Sequence, residues 1–212
     1  MSSALTLQSL PLFPLGTVLF PGGVLPLRVF EVRYLDMITR CHKAGAPFGI
    51  VALTQGQEVR QAGAPPETLA HVGTLAEIEE LARPQAGLMM VRVRGTQRFR
   101  VTSSQRLKHG LWVADVERLP DDLHVAVPPD LEPIAQALQK VLDSVRDKPQ
   151  GPGQQPLEPD EWRLDDCGWV ANRWCEVLPV PTGLKQRLME LDNPLLRLEL
   201  VGDVLARMGI CS

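Results

Sequence analysis

Aromatic residues are scarce in this chain: one Tyr, four Trp and five Phe among 212 residues. A broad aromatic platform for stacking nucleic-acid bases is therefore not expected. Long apolar runs are missing as well. The most apolar segment, residues 10–30, is broken by Pro11, Pro14, Pro21 and Pro26. It falls short of the roughly 18–20 unbroken apolar residues of a spanning helix, so no membrane segment is expected. The first basic residue is Arg28, and no charged secretory leader is read at the start. Cys41, Cys167, Cys175 and Cys211 are widely separated and form no CxxC pair. Two bridges are arithmetically open, but free thiols in a reducing cytoplasm suit this spacing better.

The signatures of nucleotide chemistry and catalysis are absent too. No glycine precedes a lysine, which excludes a Walker A phosphate cradle, and neither GxGxxG nor GxSxG occurs. His42, His71, His109 and His124 are isolated singletons. With scattered cysteines they give no metal-ligand spacing, so no metal and no cofactor are expected. Asp165-Asp166 stands before a helix, where negative charge complements the dipole without further purpose. The expectation is a non-enzymatic protein.

What is present is a globular composition, 44% hydrophobic and 22% charged, able to bury a sizeable core. The formal net charge of −3 argues for neither nucleic acid nor an anionic membrane as partner. That charge is unevenly divided. Residues 1–114 carry 12 Lys/Arg and 7 Asp/Glu, a net of +5, whereas residues 115–212 carry 10 and 18, a net of −8. The hydrophobic period changes in the same region, which predicts a β-rich subdomain over 1–124 and a helical one over 125–212.

In the first part, short apolar runs at Leu10–Leu15, Val18–Phe20 and Val24–Phe30 are punctuated by Gly16 and Pro21-Gly22-Gly23. Pro14 and Pro26 push them toward sheet edges or bulges, so a small, coiled, partly closed sheet is expected. Tyr34, Leu35, Ile38 and Cys41 share one helical face within Glu31–Ala44, and Gly45 and Pro47 supply the stop. Phe48–Leu53, Val72–Leu81, Leu88–Val101 and Leu111–Leu119 read as strands, with a further short strand considered near Glu58–Gln61. In Leu88–Val101, period-two alternation places Val91, Val93, Phe99 and Val101 on one face and Arg92, Arg94, Arg98 and Arg100 on the other.

In the second part, Leu131, Ile134, Leu138, Val141 and Val145 recur at helical spacing. Residues 148–159 (KPQGPGQQPLEP) read as a flexible connector. Three more helices are predicted, over about Asp165–Leu178, Thr182–Leu191 and Asn193–Met208, the last with Asn193 as N-cap and Pro194 at its first position. The sum is an α+β protein: a coiled sheet followed by a bundle of about four helices.

These segments carry a family resemblance. Leu10-Pro11-Leu12-Phe13-Pro14-Leu15-Gly16, Val18-Leu19-Phe20-Pro21-Gly22, Leu25-Pro26-Leu27 and Phe30-Glu31-Val32-Arg33-Tyr34 resemble the opening of the Lon protease N-terminal, substrate-binding domain. Val72-Gly73-Thr74 and Gly95-Thr96-Gln97-Arg98-Phe99-Arg100-Val101 resemble its following strands. Leu178-Pro179, Lys185-Gln186, Leu191-Asp192 and Arg197-Leu198 resemble its C-terminal helices. Pro181-Thr182-Gly183-Leu184 departs from the serine cap and acidic first turn common in that family, which is expected to shift the third helix start.

The resemblance implies a PUA-like β pseudo-barrel, then a helical bundle, and recognition of unfolded or tagged polypeptide, with a protease as an eventual partner. No ATPase or peptidase segment accompanies it, so a stand-alone, cytoplasmic adaptor or chaperone-like binder is expected. The candidate surface comprises Phe20, Pro21, Glu31, Arg33 and Tyr34, with Arg98 as a polar anchor. For Phe20 and Tyr34 core packing is the commoner role, and Glu31 with Arg33 fits a helix-capping pair. Two rivals stand beside this reading. One is RNA binding by the arginine face, discriminated by Arg92, Arg94, Arg98 and Arg100 clustering on one open face. The other is an enzyme with a small-molecule cleft.

Overall fold

A computed structural model describes residues 5–56, 67–146 and 162–210. The strand considered at Glu58–Gln61, the connector 148–159 and Cys211 lie outside these. The protein is mixed α+β, as expected from its two hydrophobic periods. It divides into two compact units, one running to Asp121 and one from Asp122 onward.

The first unit holds strands β1 (Thr6–Leu15), β2 (Val24–Val29), β3 (Phe48–Gln55), β4 (Thr68–Gln85), β5 (Leu88–Arg106) and β6 (Trp112–Arg118), with helix α1 (Val32–Ala44) between β2 and β3. Their order is β2-β5-β4-β3-β1-β6, and β5 also pairs with β6. That extra pairing closes β5, β4, β3, β1 and β6 into a ring. β1 and β3 are parallel and every other neighbour pair is antiparallel.

Inside the ring Leu10, Leu12, Val51, Leu75, Phe99, Ala114 and Val116 form one core cluster. The Phe99 ring needs the space that glycine leaves. A Cβ on Gly49 would stand 2.7 Å from Phe99 Cζ, and one on Gly73 2.6 Å. A second cluster joins Phe13, Ile50, Val91 and Val93 to the inner face of α1, where Tyr34, Met37, Ile38 and Cys41 are buried. α1 stops at Gly45, whose positive φ of 58° suits glycine and whose N–H donates back to the last helical turn.

The arginine alternation does not run through β5 as the sequence predicts. Thr74 pairs with Arg98 and Ala76 with Gly95, so β5 carries one extra residue against two steps of β4. Such a bulge flips the side-chain parity of everything beyond it. Val91 and Val93 therefore enter the α1 cluster, while Phe99 enters the ring interior. Arg98, opposite the buried Thr74, leaves the face that carries Arg92 and Arg94 and is only 4% exposed.

The second unit contains α2 (Glu132–Arg146), α3 (Cys167–Val177), α4 (Thr182–Glu190) and α5 (Pro194–Arg207), with α3 packing against the other three. Asn193 caps α5 by accepting from Leu195 N and Leu196 N, and Pro194 opens it, as read from the sequence. Asp166 caps α3 through Gly168 N. α4 begins at Thr182 after Pro181, which supplies no side-chain cap. The helix thus starts at Thr182, where the sequence placed it, and the expected shift of its start is not seen.

Arg197, buried on α5, is the polar centre of this unit. It donates to Leu188 O at 3.0 Å, Asn172 Oδ1 at 3.0 Å, Leu191 O and both carboxylate oxygens of Asp122. Five acceptors around one guanidinium tie the α4–α5 turn, α3 and the segment before α2 to a single side chain. Cys41, Cys167 and Cys175 are buried free thiols. Burial pushes all three up from the usual thiol range, Cys175 to about 12, which keeps them as inert, protonated packing groups. Among the described residues no helix is long and apolar enough to cross a membrane.

Candidate functional site

β2 has a neighbour on one side only: among the described residues it pairs with β5 and with no other strand. Along this strand lies a groove of about 270 Å³. Its walls come from Phe13 and Leu15 at the end of β1, from the run Leu25 to Val29, and from Phe30, Glu31 and Tyr34 where β2 turns into α1. An edge strand displays backbone donors and acceptors that the sheet does not use, although Pro26 withholds its own donor.

The turn between β2 and α1 sets the end of the groove. Phe30 and Val32 are both exposed, at 52% and 72%, and bracket Glu31. Glu31 occupies the N-cap position in an extended conformation, yet its side chain makes no cap bond. Its carboxylate instead lies 3.0 Å from Arg33 Nη2. The Tyr34 ring stacks on Phe13 with centroids 4.1 Å apart, and the Arg33 guanidinium sits 4.6 Å from the Tyr34 centroid. Arg33 Nη1 donates to Gly110 O at 2.8 Å, which pins the β5–β6 turn to the start of α1. Burial pushes the Tyr34 hydroxyl up to about 12, with Arg33 pulling the other way.

Of the residues singled out from the sequence, Glu31, Arg33 and Tyr34 are brought together here. Pro21 is half-buried in the turn before β2. Phe20 is fully buried and Arg98 nearly so, so neither offers a surface side chain. Arg98 as a polar anchor beside the others is thus corrected by the bulge in β5. The sequence reading missed Leu25, Leu27 and Phe30 as groove lining, and Val32 as an exposed apolar neighbour. A signal was present: Val29-Phe30 puts two large apolar residues in succession, and on a strand the pair points to opposite faces.

The basic strand face is already engaged. Arg92 lies 3.0 Å from Glu80 and 3.4 Å from Glu79, and Arg94 pairs with Glu79 too. These partners are the glutamates of β4 on the adjacent strand. With Arg98 on the other face, the four arginines do not form one open phosphate track. Among the described residues no group of three or more His, Cys, Asp or Glu is placed to hold a metal.

The site is thus an apolar trough bordered by single charges, beside a strand edge that no other described strand pairs with. Comparison with known proteins gives the family. Residues 9–207 match the ATP-dependent protease La (LON) substrate-binding domain, and the chain belongs to that family. It is similar to a Lon N-terminal domain protein from Xanthomonas campestris, with a TM-score of 0.71 and 32% identity over 93% of this chain and 98% of that one. The N-terminal domain of Mycobacterium avium complex Lon protease shares the fold, with a TM-score of 0.57 at 18% identity and coverage of 94% and 98%. Lon protease of Koribacter versatilis (strain Ellin345) is 28% identical over 94% of this chain and 24% of its own length. Cereblon of Danio rerio is 30% identical over 55% of this chain and 26% of its own. The chain thus spans about a quarter of the length of the curated relatives it matches.

Proposed function

We propose that this protein is a non-catalytic module that binds polypeptide, holding an extended apolar segment in the groove along β2. The observation that carries this is the apolar trough beside a strand edge that no other described strand pairs with, with Phe30 exposed in its lining and Val32 exposed two residues further on. Water gains little by wetting such a trough, and an extended peptide fills it with alternate side chains while its backbone meets the strand edge. Glu31, Arg33 and Tyr34 form the end of the site. The five-strand ring is read as a PUA-like pseudo-barrel and the four C-terminal helices as a bundle. Family membership supports substrate recognition as the task, and delivery of bound segments to a protease partner is the adaptor role that follows. Buried free thiols suit a reducing cytoplasm as its place of work.

The test is a fluorescence-anisotropy titration with a labelled, permanently unfolded polypeptide and RNA as competitor. Binding that saturates, tolerates salt and resists RNA is expected. Replacing Phe30 and Val32 by Ala should weaken it about tenfold or more, the worth of one to two buried apolar side chains. Binding that RNA abolishes, or that the double variant leaves unchanged, contradicts the proposal.

A further inference from the structure

Beside Tyr34, which lines the groove, the described residues bring together more cationic groups than carboxylates. Two guanidinium groups converge on Gly110: a Cβ there would stand 3.3 Å from Arg33 Nη1 and 3.8 Å from Arg106 Nη2. Arg33 Nε and Arg106 Nη2 are buried and find no hydrogen-bond acceptor among the described residues. Lys108 and His109 are exposed on the same β5–β6 turn. Among the described residues, the carboxylates of Glu31 and Glu67 act on Tyr34 beside this group. Glu31 is committed to Arg33, and Glu67 accepts from Trp112 Nε1 at 2.8 Å. Donors that a fold buries without acceptors are an unusual feature. The planar fork of a guanidinium matches a carboxylate better than any other side chain does.

We propose that the groove selects segments in which the apolar stretch is followed by a carboxylate, either an acidic side chain or a free C-terminus, bound by Arg33 and Arg106 beside Gly110. Glu31 stands in for that carboxylate when the groove is empty. It lines the groove, it is part-exposed, and it is ion-paired with Arg33, whose Nη2 makes no hydrogen bond among the described residues, instead of capping its own helix. An arriving acidic segment displaces it. The wider charge distribution agrees, since residues 1–114 carry a net +5. This inference rests on the polypeptide-binding reading and adds the chemistry of the segment.

The experiment compares three labelled peptides sharing one apolar core: one flanked by Glu, one by Lys, and one ending in a free carboxylate directly after the core. The wild-type protein should bind the Glu-flanked and carboxylate-ended peptides roughly threefold to tenfold more tightly than the Lys-flanked one, with the gap narrowing as salt rises. R106Q combined with K108Q should close the gap while retaining affinity for the apolar core. E31Q should widen it, because the competing carboxylate is gone. Equal affinity for all three peptides, or a gap untouched by R106Q and K108Q, overturns the inference and leaves polypeptide binding standing. No saturable binding of any peptide overturns polypeptide binding, and the inference with it.

Discussion

Tyr34 is the single tyrosine of the protein, so its tyrosinate absorbance reports on the groove end alone. Its hydroxyl is raised from 10.0 to about 12 because burial penalises the phenolate. A raised value means that the folded state holds the proton more tightly. The associated stability is complete below the unfolded value and is lost as pH rises through the folded one. An alkaline titration should therefore give a tyrosinate transition near 12 in the folded protein and near 10 in denaturant; a folded-state transition at the denaturant value would place the hydroxyl in water. Gly49 offers a second residue-scale test. A Cβ there would lie 2.6 Å from Leu12 Cδ2 and 2.7 Å from the Phe99 ring. Gly49→Ala should cost about 1–3 kcal/mol by overpacking. Phe99→Leu on the same background should recover part of that loss in urea denaturation.

At the scale of elements, helix boundaries were legible because their signals are local. Asn193-Pro194 opens α5 and Gly45 closes α1 through caps and turns that need no distant partner. Strand faces were less legible. The extra residue in β5 between Gly95 and Arg98 arises from pairing with β4, and period-two counting along one strand cannot register it. Pro26 did point to an edge position for β2, but which residues would line that edge follows from the order in which distant strands pair. Arg197 was likewise legible only as part of a family motif, not as a hub. Its acceptors come from residues 122, 172, 188 and 191. Arg197→Ala should lower stability by about 3–5 kcal/mol, because it removes a buried guanidinium together with its ion pair to Asp122 and its bonds to two carbonyls. Arg197→Lys should recover little, as an ammonium cannot span the same acceptors. Thermal unfolding of the two variants measures both; a loss within about 0.5 kcal/mol of wild type, the range of ordinary surface changes, would remove Arg197 from the centre of the unit.

For the whole molecule, the claim is that a ring of strands serves as the rigid support for one open edge, and that the turn after β2 gives this edge an apolar rim and a charged end. The change of hydrophobic period along the chain made the mixed α+β class legible, while the groove itself required three-dimensional proximity of residues 13, 25 to 31 and 34. Hydrogen exchange on the intact protein, with and without a saturating unfolded polypeptide, tests the claim most directly. Strand addition should slow exchange of the backbone amides of Leu25 to Glu31, Pro26 aside, and leave α5 unchanged. Protection confined to other strands or to the helices, with the β2 amides exchanging as before, would contradict it.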